Sequence, residues 1–158
     1  MIKIRFAREE DIPRLHELLI QVHAVHYKGR PDLFKPHTQK YTDEELKTIL
    51  KDKIRPVLVA VNESDEVQGY AFCIFQQHVN DHILTDVKTL YIDDLCVDEI
   101  CRGQHIGRLL YDAVVQFAKD NGCYNVTLNV WSCNPSALRF YEACGLVPQK
   151  VYMEKILK

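Results

Sequence analysis

The run Arg102, Gly103, Gln104, His105, Ile106, Gly107 places basic side chains and glycine immediately before the amphipathic stretch Leu109, Leu110, Ala113, Val114, Phe117, Ala118. Backbone N–H groups at a helix start have no acceptor within the helix and attract anions. A turn of this make-up can hold phosphates, with Arg102 and Arg108 adding positive charge. Just upstream is an acidic strand carrying Asp93 and Asp94. Downstream comes a second group, Asn134, Pro135, Ser136, Ala137, Leu138, Arg139, Phe140, Tyr141 and Gly145. Together they suggest a phosphate-bearing carrier and a chemical step. A structural strand-to-helix connection would account for the first run alone, because isolated glycine motifs are weak signals. The second run argues against that reading.

These groups need a framework. Ile2 to Phe6 alternates apolar with basic residues, as a short half-buried strand does. Ile12, Leu15, Leu18, Leu19, Val22 and Val25 recur at helical spacing, Pro13 suits a first turn, and Gly29 can close the far end. Arg30 to Lys40 carries Pro31 and Pro36 without a period, which predicts a substrate-facing loop. Thr42 and Glu45 then make a capping box for a helix through Lys53. Val57 to Val61 and Val67 to Phe75, separated by polar Asn62 to Glu66, predict an antiparallel hairpin. A strand from Thr89 to Val97, the phosphate turn, a helix ended by Gly122 and a strand from Asn125 to Val130 make a β–α–β unit. Asn134 is a good N-cap with Pro135 at the first helical position, and Gly145 stops that helix. A last strand near Lys150 to Ile156 is expected to complete a mixed sheet. The whole, residues 1–158, reads as one domain.

Composition narrows the function classes. Twenty Lys and Arg against twenty-two Asp and Glu leave a formal charge of −2, so no net positive field draws nucleic acid or an anionic membrane. No run reaches the roughly 20 apolar residues of a membrane span, and Met1 to Glu9 lacks a signal-peptide core. A cytoplasmic location is the expectation. The six cysteines show neither C-x-x-C nor zinc-finger spacing and read as free thiols in a reducing compartment. Cys101 and His105 sit at helical spacing, yet sequence places no third ligand, so no metal is expected.

Arg102 to Gly107 resembles, at its first and last positions, the Q/R-x-x-G-x-G/A signature of the GNAT acetyltransferases. The later run resembles that superfamily's N-x-x-A-x-x-F-Y-x-x-x-G-F segment at Asn134, Ala137, Phe140, Tyr141 and Gly145, with Leu146 in place of the last phenylalanine. The order of elements is also similar. The resemblance implies an α/β fold of α+β type: a mixed, mostly antiparallel sheet of six to seven strands, about four helices and a splayed, V-shaped cofactor cleft. It implies acetyl-CoA as donor, no metal, and a primary amine of a small molecule or peptide attacking directly in a ternary complex. Many relatives are dimers, so a homodimer is implied as well. His105 stands where the signature has its first glycine. Histidine is strained at positive φ, so a negative φ is expected there.

On this resemblance the backbone of Arg102, Gly103, Gln104, His105, Ile106, Gly107 and Arg108 would receive the diphosphate of coenzyme A. Leu95, Cys96 and Val97 would meet the pantetheine arm. A backbone N–H there would hold the thioester oxygen, a contribution on the order of 10²–10³ in rate. Tyr141 takes the position of the family's general acid, and Asn134 either contacts pantetheine or caps its helix. An ammonium acceptor must lose a proton before it attacks, and Asp93 and Asp94 are the candidate acceptors of that proton. Side chains alternate along a strand, so only one of the two faces the cleft unless a bulge re-aims the other. The spacing is closest to the spermidine/spermine acetyltransferases, which favours Asp93. His26, Tyr27 and Phe34, with Asp93, are candidates to line the acceptor pocket, near His23 and His37; exposed or capping histidines are the bland alternative. Trp131 and Tyr91 read as core or wall residues.

A non-catalytic acyl-CoA-binding module on the same fold is the rival reading. It would keep the phosphate turn and lose the chemical groups, whereas Tyr141 and the acidic pair are present. A dinucleotide-binding domain needs a G-x-G-x-x-G turn after the first strand, which this chain lacks.

Overall fold

Alternation in the first residues produces strand β1 (Lys3–Phe6), and the helical period after Pro13 produces α1 (Ile12–Gly29) in the computed structural model, which describes residues 1–158. The capping box forms as expected: the Thr42 side chain accepts from the Glu45 N–H at 3.1 Å, and the Glu45 carboxylate accepts from the Thr42 N–H at 3.0 Å. It opens α2 (Asp43–Lys51). Strands β2 (Val57–Val61) and β3 (Val67–Gln76) pair antiparallel around the polar turn, and β4 (Thr89–Val97) pairs antiparallel with β3. Helix α3 (Ile106–Asp120) crosses over to β5 (Asn125–Leu128), which lies parallel to β4, and α4 (Pro135–Ala143) follows.

The sheet therefore has five strands in the order β1-β2-β3-β4-β5, not six or seven. The strand expected near Lys150 to Ile156 is absent. Val151, Tyr152 and Met153 are consecutive apolar residues followed by charged Glu154 and Lys155, so the segment offers no single apolar face to bury, and it pairs with none of the five strands. Tyr152 is 99% and Leu157 87% exposed, while Glu154 ties the tail to the end of α1 through Arg30 at 2.5 Å.

Two apolar layers hold the sheet. On one face Leu15, Leu18, Leu46 and Ile49 of α1 and α2 pack on Val57, Val59, Tyr70, Phe72 and Cys96. On the other, Ile106, Leu110 and Val114 of α3 pack on Leu58, Ala71, Leu90 and Ile92. Burying one stripe of each helix against each sheet face is the main stabilising term. The buried carboxylate of Asp98, just past β4, accepts from Arg14 of α1 at 2.5 Å and from the Ile100 N–H at 3.2 Å. That link anchors the turn leading to α3.

Candidate active site

Pairing between β3 and β4 slips at the acidic pair. Phe72 stands opposite Asp94, while the next residue, Cys73, stands opposite Ile92, so Asp93 is an extra residue in β4. This is a β-bulge, and it resets the alternation. Ile92 and Leu95 both pack toward α3, whereas Cys96 packs toward α1. Asp93 and Asp94 consequently converge on one cation: Lys40 Nζ lies 3.3 Å from Asp93 and 3.9 Å from Asp94. The condition for both carboxylates to reach one cleft, a bulge, is met.

The two carboxylates are unequal. Asp94 has 10% of its side chain exposed and accepts a 2.9 Å hydrogen bond from the Tyr70 hydroxyl. Burial pushes its carboxyl up to about 6, against the opposing pull of the Lys40 charge and the Tyr70 hydroxyl. Asp93 is more exposed, at 29%. Burial works against the Lys40 charge, but Asp94 and then Asp93 hold its pKa above the ordinary lysine value.

The cleft beside this pair arises from strand divergence. β4 and β5 are paired only from Thr89–Asn125 to Ile92–Leu128. Beyond the bulge, the backbone of Asp94 to Val97 keeps its β3 partner on one side and has no strand partner on the other. Leu95, Cys96 and Val97 thus present a free strand edge, the feature an extended pantetheine-like arm would dock against.

The edge leads to the phosphate turn. Arg102, Gly103, Gln104 and His105 are exposed. The first helical bond of α3 runs from the Leu109 N–H to the His105 carbonyl at 3.1 Å, so the N–H groups of Ile106, Gly107 and Arg108 precede the ladder. One expectation fails here: His105 has φ 60° and ψ 20°, the left-handed region. The turn demands the glycine-like conformation whatever residue occupies it, and histidine is among the residues that enter this region more often than most. Arg102 Nε reaches the Val97 carbonyl at 3.4 Å, whereas Arg108 is turned to Asp112 at 3.0 Å. Cys101 is buried, with its Sγ 2.6 Å from Gln68 Oε1.

Gly107 couples this turn to α4. A Cβ at Gly107 would lie 3.4 Å from the Phe140 ring and 3.6 Å from Val97, ordinary contact distances, so α4 packs directly over the start of α3. Asn134 caps α4 by accepting from the Ala137 N–H at 3.3 Å. Tyr141, next to Phe140 with ring centroids 5.2 Å apart, is half-buried. Burial, and then the negative charges of Asp94 and its other neighbours, push its phenol well above the ordinary value, so it holds its proton at neutral pH.

An aromatic cluster joins the end of α1 to the Arg30 to Lys40 loop and Trp131. The His26 ring stacks on Phe34 at 5.2 Å, and Phe34 meets Trp131 edge-on at 5.2 Å. His23 Nε2 bonds the Lys35 carbonyl, fastening the Arg30 to Lys40 loop to α1. Burial, then the charges of Lys40 and His23, lower the His26 pKa. Tyr27 is half-buried on the same helix and His37 is exposed. Two residues of the site carry no sequence signal. Lys40 closes a loop without periodicity, and Tyr70 looks like an ordinary strand aromatic. Only the β3–β4 register, with Tyr70 opposite Cys96, brings the Tyr70 hydroxyl to Asp94.

A family model described as Acetyltransferase (GNAT) family matches residues 6–146. Glucosamine 6-phosphate N-acetyltransferase 1 of Oryza sativa subsp. japonica is 35% identical over 63 residues, covering 40% of this chain and 36% of that protein. The match thus spans well under half the length of this curated relative. Such relatives are of the glucosamine 6-phosphate type rather than the spermidine/spermine type. This corrects the finer resemblance drawn from the acidic pair; two adjacent acids on one strand are too short a signal to separate acceptor classes. Among solved structures, a mutant of the BH1408 protein from Bacillus halodurans is 32% identical with a TM-score of 0.94, covering 99% of each chain. An aminoglycoside acetyltransferase from an uncultured soil metagenomic sample, in complex with sisomicin, has a TM-score of 0.74 at 24% identity over 99% of this chain and 97% of that one, a likeness of fold.

Proposed function

The chain belongs to the GNAT acetyltransferase family, and from that premise we propose that it transfers the acetyl group of acetyl-CoA to a primary amine bound at Asp93 and Asp94. The observation that carries this reading is the bulge at Asp93, which turns both carboxylates to one cation beside the free edge of β4.

The residues fit such a donor. The leading N–H groups of α3 suit a diphosphate, and the β4 edge at Leu95 to Val97 suits an amide-bearing arm. Acetyl-CoA, when bound, supplies an activated acyl group. Asp94 acts as proton acceptor for the ammonium: its pKa near 6 leaves it ionised at neutral pH while keeping it more basic than an ordinary aspartate. Asp93 holds the amine's charge. Tyr141 keeps a proton for the departing thiolate. Backbone N–H groups at the β4 edge serve the developing negative oxygen, and His26, Phe34 and Trp131 offer aromatic surface to an acceptor. No metal has a part in this scheme.

The acceptor is a small molecule or peptide amine. The exposed apolar tail from Val151 to Leu157 supports association with a second copy of the chain, and the reading assigns the protein to the cytosol; no helix is long and apolar enough to cross a membrane. The test is release of CoA from acetyl-CoA against a broad amine panel, with the product identified by mass. Tight acetyl-CoA binding without turnover on any amine would favour the non-catalytic module.

A further inference from the structure

Lys40 raises a question that the acetyl-transfer reading leaves open, because its ammonium already occupies the position between Asp93 and Asp94. We propose that Lys40 is a displaceable resident cation of the acceptor site, and that it selects acceptors carrying, besides the reacting amine, an anionic group within reach of the displaced lysine. The inference rests on the proposed acetyl transfer and names the acceptor class for the same site.

Charge and side-chain mobility decide what the site accepts. Two carboxylates facing a cleft would, by themselves, favour polycations. With Lys40 in place, one of the two negative charges is balanced and the position between the carboxylates is filled, so an incoming ammonium can bridge both only if Lys40 leaves. Lys40 is the last residue of a loop that carries Pro31 and Pro36, and 41% of its side chain is exposed. It stands beside the Tyr41 ring, 5.4 Å from the centroid, so its chain has a surface to slide over. The loop itself is fastened by the His23 bond to Lys35 and the Phe34 ring stack, so displacement is a side-chain movement rather than opening of the loop. A displaced lysine is a partly desolvated cation at the cleft rim. An acceptor that also carries a phosphate or carboxylate puts its ammonium on Asp93 and Asp94 and its anion on the displaced Lys40, so each cation keeps an anionic partner. A simple amine strands Lys40, and a polycation adds repulsion.

The test measures binding of glucosamine and glucosamine 6-phosphate, which differ only in the phosphate, and of spermidine, to the CoA-saturated protein by calorimetry. Wild type, Lys40→Met and Lys40→Arg are compared. The wild type is expected to bind the phosphate-bearing amine at least about tenfold more tightly than glucosamine, with Lys40→Arg retaining the preference. Lys40→Met should lose it, weakening glucosamine 6-phosphate while tightening glucosamine and spermidine. A wild type without the preference overturns the proposal. So does a Lys40→Met change that moves all three amines in the same direction, as a merely structural role would. Absence of CoA release despite the expected binding pattern would instead count against acetyl transfer, so the two readings fail separately.

Discussion

The Tyr70 hydroxyl donates a hydrogen bond to Asp94 Oδ2 at 2.9 Å, reaching across from β3 to the residue that the bulge has re-aimed. Burial pushes this carboxyl up to about 6. The base works only when ionised, so kcat/KM for the amine should be maintained above about pH 6 and fall as pH drops below it. Asp94→Asn should lower kcat by about 10²-fold or more and abolish that acidic limb, with Asp93→Asn acting chiefly on amine KM. The pH–rate profiles of the two variants separate the roles.

Tyr70→Phe removes a donor that favours the ionised carboxylate. The acidic limb should therefore move upward, by up to about one pH unit, with acetyl-CoA affinity unchanged. An unmoved limb would detach Tyr70 from the base.

The same burial has a cost in stability. The folded-state pKa of Asp94 lies above its ordinary 3.8, so between that value and about 6 the folded protein binds more protons than the unfolded one. Stability contributed by this group is present at low pH and declines as pH rises through that window. Asp94→Asn, lacking the charge, should melt at a higher temperature than wild type at pH 7 while being far less active. Thermal melts at both ends of the window check the sign.

Tyr141 holds its proton at neutral pH because burial and nearby negative charge oppose ionisation. Tyr141→Phe should reduce kcat by about 10²-fold with acetyl-CoA affinity preserved, provided chemistry limits turnover. Single-turnover kinetics beside equilibrium binding make the comparison.

His105 at φ 60° carries strain of about 1–2 kcal/mol that glycine would not. His105→Gly should be neutral to stabilising by up to about 1 kcal/mol and retain acetyl-CoA binding, whereas the β-branched His105→Val should destabilise. Denaturant titrations give both values.

Local signals carried most of the architecture. The Thr42 and Glu45 capping box, the Asn134 cap and the start of α3 after the Arg102 to His105 turn are each decided within a few residues, and each appears in the structure. What depends on a neighbour was not legible. The bulge at Asp93 is a property of β3–β4 register, Lys40 joins the site only through the folded loop, and the tail from Lys150 to Ile156 has residues suited to a strand but no partner strand. His105 was misjudged because the turn, not the residue's own preference, sets its φ.

The most direct test of the acetyl-transfer account is amine-dependent CoA release by wild type and Asp94→Asn, run side by side at pH 7 across the acceptor panel with product mass recorded. The account predicts an N-acetylated product from wild type and a loss of about 10²-fold or more in the variant. Equal rates in the two proteins, or acetyl-CoA binding without any acetylated product, would contradict it.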